Sequence, residues 1–263
     1  MNEKSFNCVF SFVHRFRFII IFLCLILVCF VCFSFYRNTN KTSDTKSYYS
    51  RVVPIEVSKK ALGIDISTWQ GDVDFEKLKD SQVDFVMIRC GFRTLNDGKI
   101  GLDNKFYRNI FLANKYHIPV GVYFFSTAIS EEEVLEEAKF LLDAIRPFKV
   151  VYPIGYDFEV FNKNRLKGLS NEEINHNARV FLDYVSSYGY NVMLYSNLHN
   201  INKHWDDSII KEYPLWLAEY NKETTYKGNY KMVQYTNKGR VNGINGNVDM
   251  NRSNVIYRKG FGL

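Results

Sequence analysis

The chain has 263 residues, enough for one large domain or two small ones, and 46% apolar with 24% charged residues is ordinary globular composition. That excludes a disordered, collagen-like or disulfide-scaffold protein. The net charge of +6 comes entirely from residues 1–60, which hold nine Lys or Arg and three Asp or Glu, whereas residues 61–263 hold 25 of each. A nucleic-acid binder shows a basic domain, so no nucleic-acid partner is expected, and the basic leader points to a membrane instead.

Residues 18–36, FIIIFLCLILVCFVCFSFY, carry no charge. As a helix this run spans about 28 Å, close to the ~30 Å hydrocarbon core of a bilayer. Lys4, Arg15 and Arg17 precede it, which favours a cytoplasmic segment 1–17; Arg37, Lys41 and Lys46 follow and weaken that bias. A cleaved signal peptide has a shorter apolar core and a small-x-small cleavage site. Residues 32–36 offer no such site, and Cys24, Cys29 and Cys32 lack the small preceding residue of a lipoprotein anchor. The expectation is a retained single-pass anchor in the lipid bilayer, with residues 61–263 outside the cytoplasm. The polar segment 37–60 reads as a tether with a mean reach of roughly 25–30 Å. Four of the five cysteines lie in the leader. Cys90 is alone in the soluble part, so no disulfide forms there and it reads as a packed thiol.

From residue 61 onward, strand-like and helix-like runs alternate. Strands are expected at 62–66, 83–89, 118–125, 152–158, 191–196, 215–218 and 231–235, with an eighth within 241–250. Helices are expected at 75–81, at 104–116 from the spacing of Phe106, Ile110 and Ala113, at 130–145 and from Ser170 to Gly189. Ser130 with Glu133 and Ser170 with Glu173 have capping-box spacing, and Pro147 and Gly189 are stop signals. Helical signals weaken after 191. His199 and His204 fall in what reads as a polar loop. Repeated strand–helix units imply a mostly parallel sheet, either an irregular β/α barrel or a doubly wound open sheet. No glycine-rich phosphate loop follows any strand.

Alternation along strands puts Gly63, Asp65 and Ser67 on one face, Gly121 and Tyr123 on one face, and Gly155, Asp157 and Glu159 on one face. A small residue low in a barrel and a polar one at the carboxyl rim favours the barrel, where such rims carry catalytic groups. In YDFEVF, residues 156–161, Asp157 and Glu159 face the same way. Two close carboxyls raise one pKa and leave an acid beside a base, the pair that glycoside hydrolysis uses. The alternative is a solvated strand end paired with Arg89. Asp65 and Asp249 fall at other strand ends, and Trp69, Tyr123, Tyr195, Trp216, Tyr220 and Tyr235 surround these acids in sequence. Acids among aromatics are a common sugar-site composition.

Residues 61–260 resemble the family 25 glycoside hydrolases, the Chalaropsis-type lysozymes. GIDISTWQG, VMIRCG, GVYFFS, YDFE, MLYSN, PLWLAEY, MVQYT and NGINGNVDMN look like the family's strand-end segments in order. The resemblance implies an irregular TIM-like β/α barrel and hydrolysis of the β-1,4 bond from N-acetylmuramic acid to N-acetylglucosamine in peptidoglycan. It implies Glu159 as general acid, Asp157 as its electrostatic partner, and Asp65 and Asp249 as the other site acids. Tyr123, Tyr195, Trp216, Tyr220 and Gln234 match pocket positions, and Trp69 and Arg89 join them as candidate substrate contacts. No metal and no cofactor is implied. Phe124 and Tyr156 depart from the family pattern and bear on the subsite contacts. The anchor is expected to localise the domain at the cell wall, the role that wall-binding repeats play in many relatives. A non-catalytic peptidoglycan-binding module on the same fold would keep the aromatics and lose the acids. A metal-dependent hydrolase, or a Cys–His enzyme centred on Cys90, has less in its favour.

Overall fold

The computed structural model describes residues 52–159, 161–221 and 223–259. The leader 1–17, the apolar run 18–36 and the first part of the tether, 37–51, lie outside the described residues. Among the described residues no helix is long and apolar enough to cross a membrane.

The strands are β1 Val52–Ile66, β2 Phe85–Arg93, β3 Ile100–Leu102, β4 Val120–Phe125, β5 Ile154–Asp157, β6 Val192–Asn197, β7 Leu215–Ala218, β8 Met232–Gly239 and β9 Val248–Lys259. They lie in the order β1-β9-β8-β7-β6-β5-β4-β2-β3, and a parallel β1–β2 pairing closes the sheet into an eight-stranded barrel with β3 outside the closure. The helices are α1 Phe75–Lys79, α2 Phe106–Lys115, α3 Glu131–Ile145, α4 Asn171–Ser187, α5 Leu198–Lys203 and α6 Asp207–Glu212. β9 runs antiparallel to both neighbours. The reason is length: residues 240–247 are too few for the crossover that a parallel partner needs. Gly243 and Gly246, with φ of 96° and 115°, turn the chain there. The expected strand within 241–250 is therefore a turn that leads into a later strand.

The tether reading fails for residues 52–60. They form the first half of β1 and pair antiparallel with the end of β9, Val53 with Arg258 and Ile55 with Ile256. Val53, Ile55 and Val57 alternate with Pro54, Glu56 and Ser58, a period-two pattern that polar composition masks. The polar loop expected around His199 is also corrected: it holds α5, and His204 stacks on Phe161 with ring centroids 3.9 Å apart.

Alternation along the strands builds two apolar layers. Outward residues such as Ile64, Val86, Val122, Ile154 and Leu194 pack under the helices, and Cys90 is buried among them. Phe124 and Tyr156 also face this layer, so the two departures from the family pattern do not touch the barrel's mouth. Inward residues fill the lumen, chiefly Phe85, Met87, Tyr152, Met193, Trp216 and Met232. Glycines make room for them. A Cβ on Gly121 would lie 2.4 Å from the Met87 sulfur and 2.7 Å from the Pro153 carbonyl oxygen. The sulfur can swing aside; the carbonyl cannot without moving the start of β5. Gly121→Ala is therefore expected to lower the free energy of unfolding by about 1–3 kcal/mol through overpacking, read as a lower urea midpoint.

Local signals hold most helices. Ser170 and Glu173 form a reciprocal capping box for α4, and Gly189 with φ 87° follows its end. At α3 the box is incomplete. Ser130 accepts from the Glu133 N–H, but Glu133 accepts from the Ile129 N–H and pairs with Arg165.

Candidate active site

The carboxyl ends of the strands surround a cavity of about 230 Å³. Its lining is Asp65, Arg89, Tyr123, Phe125, Asp157, Glu159, Tyr195, Trp216, Tyr220, Gln234 and Asp249. The inward phase of eight separate strands or strand ends thus converges on one mouth. A larger open depression beside α1 and α2 holds Asp72 and Arg108, but Asp72 is already paired with Lys105 and Arg108. It lacks convergent unpaired groups.

Asp65 and Asp249 stand directly opposite each other in the β1–β9 register and share a hydrogen bond. Asp65 Oδ2 accepts from Gln234 Nε2 at 3.0 Å and from Asn251 Nδ2 at 2.7 Å. Burial and then the Asp249 charge push Asp65 up to about 7, against the pull of those two amides. Asp249 is also raised by burial. At the end of β5 Asp157 is buried, and two residues beyond the strand Glu159 lies at the mouth, exposed as a residue but lining the cavity. Their side chains are hydrogen-bonded to each other. Burial raises Asp157 well above the usual carboxylate range, with the charges of Glu159 and Asp65 adding to it. Burial also raises Glu159; the hydrogen bond from Asp157 pulls against that rise, and repulsion from Asp249 adds to it. The four acids form two carboxyl pairs, and each pair holds a proton more tightly than a free carboxylate does.

Gln234 organises the aromatic wall. Its Oε1 accepts from Tyr195 Oη at 3.0 Å and from Tyr220 Oη at 2.9 Å, while its amide donates to Asp65. Trp216 forms the floor, edge-on to Tyr195 and Tyr123, and its Nε1 donates to Asn251 Oδ1 at 2.8 Å. The loop carrying Tyr220 is tied down by Glu219, which accepts from Asn221, Thr224, Thr225 and the Tyr226 N–H. Burial opposes ionisation of Glu219, but these hydrogen bonds outweigh it and hold the carboxyl at about 2.

Ten of the eleven candidate residues read from the sequence line this cavity. Trp69 does not: it sits in a 3₁₀ turn, Thr68–Gln70, beyond the end of β1 and is 82% exposed. Tyr235 also lies outside the lining, with Arg252 over its ring. Arg89 lines the cavity but is not the partner of Asp157 that the sequence offered as an alternative. Its Nε and Nη2 both bind Asp103 Oδ2, at 2.9 and 2.8 Å. Asn251 and Phe125 were missed. Asn251 lies two residues after Asp249 in VDMN, and the same alternation that picked out Asp65 would have found it.

The family's sequence profile, Glycosyl hydrolases family 25, matches residues 64–244. The chain belongs to glycosyl hydrolase family 25. An autolytic lysozyme of Clostridium acetobutylicum is 30% identical to it over 189 residues, 72% of this chain and 54% of that protein. This family 25 chain therefore spans about half the length of that relative. The modular autolysin LytC of Streptococcus pneumoniae superposes with a TM-score of 0.66 at 26% identity, over 75% of this chain and 47% of LytC. LytC has also been solved with a synthetic peptidoglycan ligand. The spore cortex lytic enzyme SleM of Clostridium perfringens shares the fold, with a TM-score of 0.66 at 22% identity over 76% of this chain and 68% of SleM. The family 25 barrel is thus a glycosyl hydrolase domain whose carboxyl rim holds all four expected acids.

Proposed function

We propose that this chain is a peptidoglycan muramidase that hydrolyses the β-1,4 bond from N-acetylmuramic acid to N-acetylglucosamine. The observation that carries the reading is the convergence of Asp65, Asp157, Glu159 and Asp249 on one aromatic-walled cavity. Glu159, the member of the pair at the mouth, accepts a hydrogen bond from the protonated Asp157, takes that proton and passes it to the glycosidic oxygen. Positive charge then builds at the anomeric carbon, and the neighbouring carboxylates stabilise it where water is largely excluded. An internal route, in which the 2-acetamido oxygen of the muramic acid attacks and Asp157 aligns it, fits the placement of Asp157 beside Glu159 in the cavity lining. Tyr195 and Tyr123 stay protonated because burial pushes both phenols well up, and they serve as fixed hydrogen-bonding walls.

Residues 18–36 would anchor the enzyme in the bilayer, with the N-terminus cytoplasmic and the barrel at the cell wall. Support comes from the charge-free run and its cationic flank.

Mass spectrometry of muropeptides released by the full chain tests the reaction. New reducing ends on muramic acid are the expected result; reducing-end glucosamine, or binding without release, would overturn it. Alkaline extraction of membranes tests the anchor: the chain should stay in the pellet, and release into the supernatant would exclude a spanning segment.

A further inference from the structure

Trp69 is the most exposed large apolar side chain among the described residues, at 82%, whereas Trp205 and Trp216 are 6% and 1% exposed. Scattered apolar residues on a surface are normal. This one differs because its backbone is held from several sides. Ser67 Oγ accepts from the Trp69 N–H at 3.3 Å, and Gln70 Oε1 accepts from the Ser67 N–H at 2.8 Å, closing a reciprocal capping box. The Thr68 N–H donates to Asp103 Oδ2 at 2.9 Å. That same oxygen binds the guanidinium of Arg89. Asp103 is 1% exposed as a residue, so this joint is enclosed by protein. The turn carrying Trp69 is therefore fastened to the cavity wall two hydrogen bonds from Arg89, while its ring faces water.

A turn whose backbone is fixed and that holds an indole out in solvent has the construction of a binding platform, because only the side chain's own rotamer freedom remains to be lost on binding. The geometry points to Trp69 as a stacking platform for a saccharide of the glycan strand outside the cavity, on the β1 side of the mouth. The ligand is a pyranose ring presenting its apolar CH face to the indole. The cavity, at about 230 Å³, holds one ring, so neighbouring sugars of a polymer must lie along the rim. The enzyme then favours long strands over short fragments. This inference rests on the muramidase reading of the cavity.

The test uses the full chain in detergent and a hexasaccharide of alternating N-acetylglucosamine and N-acetylmuramic acid. Trp69 supplies the indole that iodide reaches, because the other two tryptophans are buried. In Glu159→Gln, bound hexasaccharide should shield the emission from iodide, and a disaccharide should not. Trp69→Ala should raise KM for the hexasaccharide about fivefold, the equivalent of roughly 1 kcal/mol, with less than a twofold fall in kcat. Trp69→Tyr should restore KM to within twofold. Equal quenching with and without bound hexasaccharide would overturn the platform, as would a wild-type KM in Trp69→Ala. Shielding already present in the sugar-free chain would also overturn it, by assigning the ring to a contact within the protein. A wild type that binds and shields without releasing reducing ends would remove the muramidase reading and leave the platform standing.

Discussion

Glu159→Gln is expected to lower kcat/KM for peptidoglycan by about 10³-fold or more, since general acid catalysis supplies roughly 10²–10⁴, while circular dichroism and the urea midpoint stay close to wild type. Glutamine matches the shape of the protonated acid but has no proton to give. Its amide oxygen still accepts from Asp157, and the residue lies at the exposed mouth, so packing changes little. Burial, and repulsion from Asp249, raise Glu159 above its usual value of 4.5. Because the protonated form is the working one, wild-type activity should be present below this raised pKa and fall as pH climbs through it. A turbidity-clearing assay across pH measures both effects. Normal clearing by the variant would remove Glu159 from the role of acid, and an alkaline limb at or below 4.5 would show that the pair does not retain its proton.

The barrel was legible because period-two alternation in the strands and capping signals in the long helices are local. The inward phase of Gly63–Asp65, Gly121–Tyr123 and Gly155–Asp157 could be read from one residue to the next, and the structure keeps it. Pairings between distant segments were not legible. Residues 52–60 look like a tether until the end of β9 is laid beside them, and that partner lies about two hundred residues away in the chain. Asp103 as the partner of Arg89 is of the same kind, because a bulge in the β2–β4 register and the β3 hairpin decide it. The six-residue helices α5 and α6 are too short to show a full helical period. Trp69 reads as a substrate contact because it is an aromatic standing close to Asp65 in the sequence. The chain turns at Gly71, φ 64°, and leaves the indole on the rim.

Asp65→Asn is expected to separate stability from activity. In the wild type, Asp65 Oδ2 accepts from Gln234 and Asn251, and its other side shares a proton with Asp249. An asparagine reproduces every one of these bonds: its carbonyl accepts from both amides and its NH₂ donates to Asp249. What it removes is the tendency to ionise in a buried place. The carboxyl moves from 3.8 to about 7 on folding, chiefly through burial. Between those values the folded chain binds a proton that the unfolded chain has released, so unfolding free energy falls as pH rises through that window, by up to about 1.4 kcal/mol per pH unit. The variant lacks this loss. At pH 8 it should be more stable than wild type by about 2–4 kcal/mol, with the difference closing towards pH 4, as read from urea midpoints of the full chain in detergent. Above about pH 7, where the wild-type carboxyl is ionised, its activity should drop about 10²-fold or more, because a charge that stabilises the transition state has become a neutral dipole. Such a result would mean that the enzyme keeps a destabilising acid in its rim for the sake of the reaction. A variant that is less stable at pH 8, or one that clears cell walls at the wild-type rate, would show that Asp65 holds the barrel together rather than serving its chemistry.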